Sequence, residues 1–434
     1  LLAASVFFKF NDSGKWKYAL YGTLLLTLSF LSKKSSFPML ALIPMMIYFM
    51  KGFSNSKRTI FLFLFVFLSF VLLRLTVASM VEKSENLREH MFFENPLYDN
   101  GYGFFERLPM FFYTMGYYIK LLFIPHPLSV FYGYSHVKVA EWGDPLVWVS
   151  MIGCVVLGIY CLLNIKKRSP WMFGVLFYFI AISMFSNLVK PAPGMVAERF
   201  AFLASIGFCI VIAYWLLELF KVPFHTGENT KLKFSGSLRA VAVLLLLVSS
   251  VKIITRNNDW KSHQSIYKHD IEYTENSANL HSLLGAQYVE QLDKHRMAIS
   301  NLNSMPAGTS DPNLKKYILT QQQLKIKTDS SIYHFGRALE IYPDYIAVNN
   351  NIGAVYFSYV QNYDSAAKYF HRAVELDTDY VQAMYNLASC YELEIGEYKE
   401  MNDYFSKRNN SFNDSIVTIP GSDEKDWRKM LDTL

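Results

Sequence analysis

Long apolar runs broken by short charged joints fill the first part of the chain, and a polar, helix-periodic stretch fills the rest. The apolar runs cover residues 18–31, 37–50, 59–80, 107–124, 146–163, 171–189, 200–220 and 238–255. The first two are short for a full crossing, so they tilt or borrow neighbouring residues. Residues 59–80 read as a complete span with Arg74 near the far end. Residues 107–124 are apolar and aromatic but carry Pro109 and Lys120. That composition fits either a span or a re-entrant, interfacial helix. Residues 1–8 read as the tail of an earlier span, which makes the chain a fragment lacking its true N-terminus.

Basic joints set an orientation, because Lys and Arg concentrate on the cytoplasmic side of membrane helices. Lys51, Lys57 and Arg58 form one such joint, and Lys166, Lys167 and Arg168 a second. Lys221, Lys231, Lys233 and Arg239 form a third. Placing all three in the cytoplasm puts Lys33, Lys34, the acidic loop 81–105, the loop 190–198 and everything after Arg256 on the other side. The parity works only if 107–124 enters and leaves on one face, which favours the re-entrant reading.

The polar part repeats. Ile352-Gly353, Tyr356, Ala366, Phe370 and Ala373 follow the tetratricopeptide (TPR) pattern with one residue inserted at the turn. Asn386-Leu387-Ala388 and Tyr391 begin the next unit, and Leu284-Gly285, Tyr288 and Ala298 mark an earlier one. Phe335, Ala338 and Pro343 fit the second helix of a further unit between them. Small residues at these places let paired helices approach, and aromatics fill the groove between pairs. The expected organisation is therefore all-α. A polytopic transmembrane domain over 1–256 is followed by a soluble TPR solenoid over 257–410, then a tail or capping helix over 411–434.

Composition removes several classes of function. The net charge of +6 is spread over joints rather than held in a block, which argues against a nucleic-acid partner. Cys154, Cys161 and Cys209 lie in apolar runs, Cys390 stands alone, and no Cys-x-x-Cys pair occurs. Structural zinc and a disulfide framework are therefore not expected. No His-Glu-x-x-His is present, Gly101-Tyr102-Gly103 lacks the later glycine of a phosphate loop, and no metal or certain cofactor is called for.

What remains is a set of charges expected on the non-cytoplasmic face. A loop holding Pro191, Pro193 and Gly194 runs into Glu198-Arg199 at the mouth of an apolar helix. With Lys33, Lys34, Arg74, Arg107 and Lys190, this pair either anchors helices at the interface or cradles a lipid-linked phosphate. Pro125, Pro127, Phe131, Tyr132 and Tyr134 suggest a stiff aromatic shelf at the membrane surface, with His126 as a loop residue.

Four stretches together resemble one family. They are Leu31-Ser32-Lys33-Lys34-Ser35, Pro125-His126-Pro127-Leu128-Ser129, Val196-Ala197-Glu198-Arg199 with Ser205-Ile206-Gly207, and Arg256-Asn257-Asn258-Asp259-Trp260. The chain resembles the transmembrane and tetratricopeptide repeat-containing proteins, a branch of the GT-C glycosyltransferases, over most of residues 18–400. The resemblance implies transfer of a sugar, mannose by analogy, from a polyprenyl- or dolichyl-phosphate donor to Ser or Thr of a protein acceptor. Transfer would occur on the non-cytoplasmic side of a bacterial inner membrane or an endoplasmic-reticulum membrane, with the TPRs positioning the acceptor. It also implies a catalytic acidic residue in an external loop upstream of Leu1. Arg199, Lys190 and Lys33 would bind the lipid phosphate, with Glu198 and Arg74 in support. Glu198 would orient Arg199 by a salt bridge or merely satisfy it. The alternative is a non-catalytic membrane scaffold that uses its TPRs to assemble envelope or secretory complexes.

Overall fold

The computed structural model describes residues 2–33, 36–53, 56–81, 95–98, 102–132, 137–192, 194–222, 234–304 and 317–394. Lys34, Tyr134, Pro193, Lys231, Lys233, most of the acidic loop 81–105 and the 411–434 tail lie outside them. The fold is all-α, and among the described residues the sole extended pairing is an isolated antiparallel bridge between Tyr132 and Val196. The chain divides into two compact units, Leu1–Glu275 and Asn276–Leu434.

The first unit contains α1 (Leu2–Ser13), α2 (Trp16–Ser32), α3 (Met39–Met50), α4 (Ser56–Val81) and α5 (Leu108–Phe123). It continues with α6 (Pro145–Asn164), α7 (Pro170–Ile182), α8 (Glu198–Leu219), α9 (Gly236–Asp259) and α10 (His263–Ile271). Prolines open α5, α6 and α7, where the missing N–H costs no intrahelical bond. The Ser235 side chain caps α9 by accepting from Leu238 N. Helix α10, which the sequence places with the repeats, belongs to this first unit because its buried Asp270 binds the end of α9.

Lys57–Val77, Pro145–Lys167, Glu198–Leu219 and Gly236–Asp259 are each long and apolar enough to cross a bilayer. Val149, Ile152, Val156, Ile159 and Leu163 stand exposed along α6, a surface suited to lipid tails and unsuited to water. The chain is an integral membrane protein. Polar stitches join the bundle: Thr23 Oγ1 donates to Phe65 O at 3.1 Å, and Thr27 Oγ1 to Ser69 O at 3.3 Å. Helices α7 and α8 meet backbone to backbone where Gly174 faces Gly207. A Cβ at Gly207 would lie 2.4 Å from Gly174 O and 2.6 Å from Tyr178 N.

Contacts sort the loops to two ends of the bundle. At one end Lys51 pairs with Asp12, and Arg58 Nη1 donates to Asp12 O at 3.0 Å. There too the Arg168 guanidinium lies 4.6 Å from the Tyr48 ring centre. The first two basic joints therefore meet. The reach of Gly174 to both Gly207 and Val211, and of Gly207 to Tyr178, makes α7 and α8 antiparallel, so Lys221 falls at the same end.

Helix α5 behaves differently from its neighbours. Its 16 residues reach about 24 Å at 1.5 Å per residue. The 187–197 loop follows it along that length: Arg107 Nη1 donates to Val189 O at 3.5 Å, Asn187 Nδ2 to Thr114 Oγ1 at 3.4 Å, and Ala197 N to Tyr118 Oη at 3.2 Å. Tyr132, just beyond α5, bridges Val196 of the same loop. The far end of α5 packs beside α8, with Phe123 edge-on to Phe208 at 4.9 Å.

One apolar run is not a continuous helix. Residues 171–189 read as a span, yet α7 stops at Ile182, a 3₁₀ turn covers Ser183–Phe185, and Asn187 takes φ 63°. Left-handed backbone is tolerated by asparagine better than by branched residues.

In the second unit, α11 (Ala278–Ser304) pairs with α12 (Gln321–Ile341), and α13 (Ile346–Val355) with α14 (Tyr363–Leu376), followed by α15 (Val381–Glu394). These pairs form a TPR-like region. A Cβ at Gly353 would meet the Phe370 ring at 2.8 Å, and one at Gly285 would meet the Phe335 ring at the same distance. The repetition of this contact corrects the repeat count. Leu284-Gly285 and Phe335-Ala338 belong to one helix pair with a long insertion, and Ala298 continues α11 instead of starting a second helix. The residue inserted at the next turn is absorbed by a π-helical turn over Tyr356–Val360, closed by Gln361 at φ 58°.

Candidate functional site

The loop between α7 and α8 is held by two buried amides. Asn187 Nδ2 donates to Met195 O at 2.8 Å, while its Oδ1 accepts from Ala192 N at 2.8 Å and from Asn95 Nδ2 at 3.0 Å. Asn95 Nδ2 also donates to Ala192 O at 2.8 Å, and Tyr98 Oη donates to Pro191 O at 2.8 Å. A loop buried this deeply must find partners for its peptide groups, and the amides supply them. The result is a fixed entry into α8, whose first turn carries Glu198 and Arg199.

Glu198 favours the positive end of the helix dipole, and its carboxylate meets the Tyr132 hydroxyl at 3.1 Å. Tyr132 is fully buried. Its oxygen accepts from Ser129 N at 2.9 Å, and its single proton is aimed at Pro127 O, 2.8 Å away, or at Glu198. Burial, with the Glu198 carboxylate beside it, pushes the Tyr132 phenol well above its usual range, so it stays protonated and acts as a donor. The aromatic shelf expected at the surface is, at Tyr132, an internal strut. His126 packs edge-on to Tyr273 at 5.2 Å.

Glu198 and Arg199 open onto a cleft of about 400 Å³. Ser129 and Arg256 add its polar rim, while Leu122, Val130, Phe202 and Trp260 supply apolar walls. Glu198, Ala201, Phe202 and Ser205 recur at helical spacing on α8, so the lining continues from the charged mouth down an apolar helix face. The cleft is thus amphipathic along its length.

The expected salt bridge between Glu198 and Arg199 is not formed among the described residues: Glu198 turns to Tyr132, and the Arg199 guanidinium lies over its neighbour Phe200 at 4.9 Å. Arg199 is exposed at the cleft with no acidic partner among the described residues. Lys190 sits exposed on the same loop, and Lys33 and Arg74 are exposed elsewhere in the unit. Those three do not line the cleft.

Sequence reasoning missed the other side of the cleft. Arg256, near the end of α9, forms a two-pronged ion pair with Asp270 of α10, Nη1 to Oδ1 at 2.5 Å and Nη2 to Oδ2 at 3.0 Å. Asp270 is fully buried, and its Oδ2 also accepts from Val130 N at 2.8 Å. The available signal was an arginine closing an apolar run just before a Trp, with an Asp fourteen residues on.

No family model matches the chain. Protein O-mannosyl-transferase TMTC1 of Mus musculus is 23% identical over 249 residues, 56% of this chain and 22% of that protein. The Homo sapiens TMTC1 is 24% identical over 202 residues, 46% of this chain and 18% of that protein. Protein O-mannosyl-transferase Tmtc2 of Drosophila melanogaster reaches 34% over 104 residues, 24% of this chain and 10% of that protein. The chain is similar to these TMTC proteins over part of its length. Several relatives bearing this name agree on it, TMTC4 of Mus musculus among them. The chain spans about a fifth of the length of the first two relatives. Among solved structures, the crystal structure of MamA protein matches 38% of this chain and 92% of its own length, with 16% identity and a TM-score of 0.21. The TPR-like reading rests instead on the repeated glycine–phenylalanine contact.

Proposed function

We propose that this chain is part of a membrane glycosyltransferase that moves mannose from a polyprenyl- or dolichyl-phosphate donor to a Ser or Thr hydroxyl of a protein. The observation that carries the reading is the amphipathic cleft at the mouth of α8, where Arg199 meets an apolar groove suited to a lipid chain. The names of the TMTC relatives supply the reaction class. As the anomeric carbon leaves its phosphate, negative charge grows on the phosphate oxygens, and Arg199 stabilises it. Glu198, steadied by Tyr132, lines the place where the sugar would sit. Lys190, Lys33 and Arg74 draw the anionic headgroup toward this end of the bundle. The proton of the acceptor hydroxyl passes to a carboxylate, which the resemblance places in a loop upstream of Leu1.

In this reading residues 1–256 form the membrane part, and the TPR-like helices from Asn276 onward hold the acceptor protein. We assign the loop 187–198 and the repeats to the non-cytoplasmic side, a reading that the positive joints at the opposite end of the bundle support. The test is transfer of labelled mannose from polyprenyl-phosphate-mannose to protein, in membranes carrying the full-length protein. Arg199→Gln at matched expression is expected to lower transfer about 100-fold or more, the usual effect of removing a charge-stabilising donor. Transfer at the wild-type rate in that variant would refute the assignment.

A further inference from the structure

Arg256 has more hydrogen-bonding capacity than its ion pair uses. A guanidinium carries five N–H groups in one plane. The end edge, formed by Nη1 and Nη2, is taken by the Asp270 carboxylate. The remaining contacts of Nη1 are with Asp259 Oδ2 at 3.4 Å and His269 Nδ1 at 3.3 Å. The side edge, formed by Nε–H and the second Nη2–H, is different. Nε is buried and has no acceptor among the described residues. A buried donor without a partner costs about 1–3 kcal/mol, so such groups call for an explanation. Arg256 lines the same cleft as Arg199 and Glu198.

We infer that Arg256 is a second anion-binding residue of this cleft, and that Asp270 is the positioning residue that aims it. Nε–H and Nη2–H are parallel donors that match two oxygens of one phosphate monoester. The clamp on the opposite edge fixes the fork before the anion arrives, because Asp270 is fully buried and also holds Val130 N of the loop that carries Ser129. The two arginines divide the work. Arg199 is exposed and adjustable, whereas Arg256 is rigid and selects a planar pair of oxygens. The inference rests on the anion-cleft reading above and names a further contact in it.

The experiment uses purified full-length protein in detergent micelles, with farnesyl phosphate and inorganic phosphate as probes. Fluorescence of Trp260, which lines the cleft, reports binding, and Trp260→Phe assigns the signal. Arg256→Lys keeps the charge and removes the fork, so farnesyl phosphate is expected to bind about tenfold more weakly. Asp270→Asn is expected to weaken it severalfold, and the Arg256→Lys/Asp270→Asn double variant to bind no more weakly than Arg256→Lys alone. Tighter binding of farnesyl phosphate than of inorganic phosphate assigns the anion to a lipid headgroup, and equal binding assigns it to free phosphate; either supports the site. Wild-type affinity in Arg256→Lys, with affinity lost in Arg199→Gln, would overturn the role of Arg256 and leave the function proposed above standing. Additive losses in the double variant would overturn the positioning role of Asp270. A wild-type protein that bound neither probe would overturn this inference together with the anion cleft itself.

Discussion

Gly207→Leu is expected to leave little folded protein in detergent, with a sharply lowered melting temperature in whatever is recovered. The reason is that the obstacle is backbone. A Cβ at Gly207 would overlap Gly174 O and Tyr178 N, which cannot turn aside as a side chain can. Overpacking in a core typically costs about 1–3 kcal/mol, and a clash with a neighbouring helix backbone belongs at or beyond the top of that range. Between membrane helices the loss is more serious, because close packing and hydrogen bonds, not the hydrophobic effect, hold them together. Gly158→Leu is the control, since a Cβ there meets nothing within 4 Å. Size-exclusion profiles and melting curves of the two variants check the prediction; equal behaviour would refute the glycine-to-glycine contact.

Asn187→Leu is the second severe change, and it acts on the site as well as on stability. The substitution leaves Met195 O and Ala192 N without partners in a buried loop, and removes one of the two acceptors of Asn95 Nδ2. Each group left unpaired costs about 1–3 kcal/mol, and leucine at φ 63° adds backbone strain of about 1–3 kcal/mol. The loop is expected to loosen before the helices do, because α8 packs on α7 independently of it. Hydrogen exchange of the amides in 192–199 should therefore rise strongly while that of mid-α8 rises little. Unchanged exchange in 192–199 would show that the amide network does not hold the loop.

Much of this molecule can be read from residue order, and the parts that cannot share a cause. Helix starts at Pro145 and Pro170 and the glycine positions Gly285 and Gly353 are local signals, since each is fixed by backbone rules within a turn or two. The Glu198-Arg199 mouth is equally local. The strut from Tyr132 to Glu198 joins residues 66 apart, and the bond from Val130 to Asp270 spans 140. No local pattern announces such pairs. Asn187 hides differently: one amide in an apolar run looks like a tolerated polar residue inside a span, until the backbone turns left-handed around it. The repeats misled for a third reason. A long insertion separated Gly285 from Phe335, so one helix pair reads as two degraded units.

The sidedness of the bundle links these observations to function. Arg199, Arg256 and the pinned loop gather at the end opposite the basic joints, so in the proposed reading a headgroup held there has its lipid chain directed along α8. Photolabelling tests that arrangement most directly. A polyprenyl phosphate carrying a diazirine in its chain would be added to membranes with the full-length protein, irradiated, and the labelled peptides sequenced. The account predicts labelling of the α8 segment around Phe202 and Ser205 and of the segment holding Trp260, displaced by unlabelled polyprenyl phosphate. Labelling confined to helices away from this cleft, or unaffected by the competitor, would contradict it.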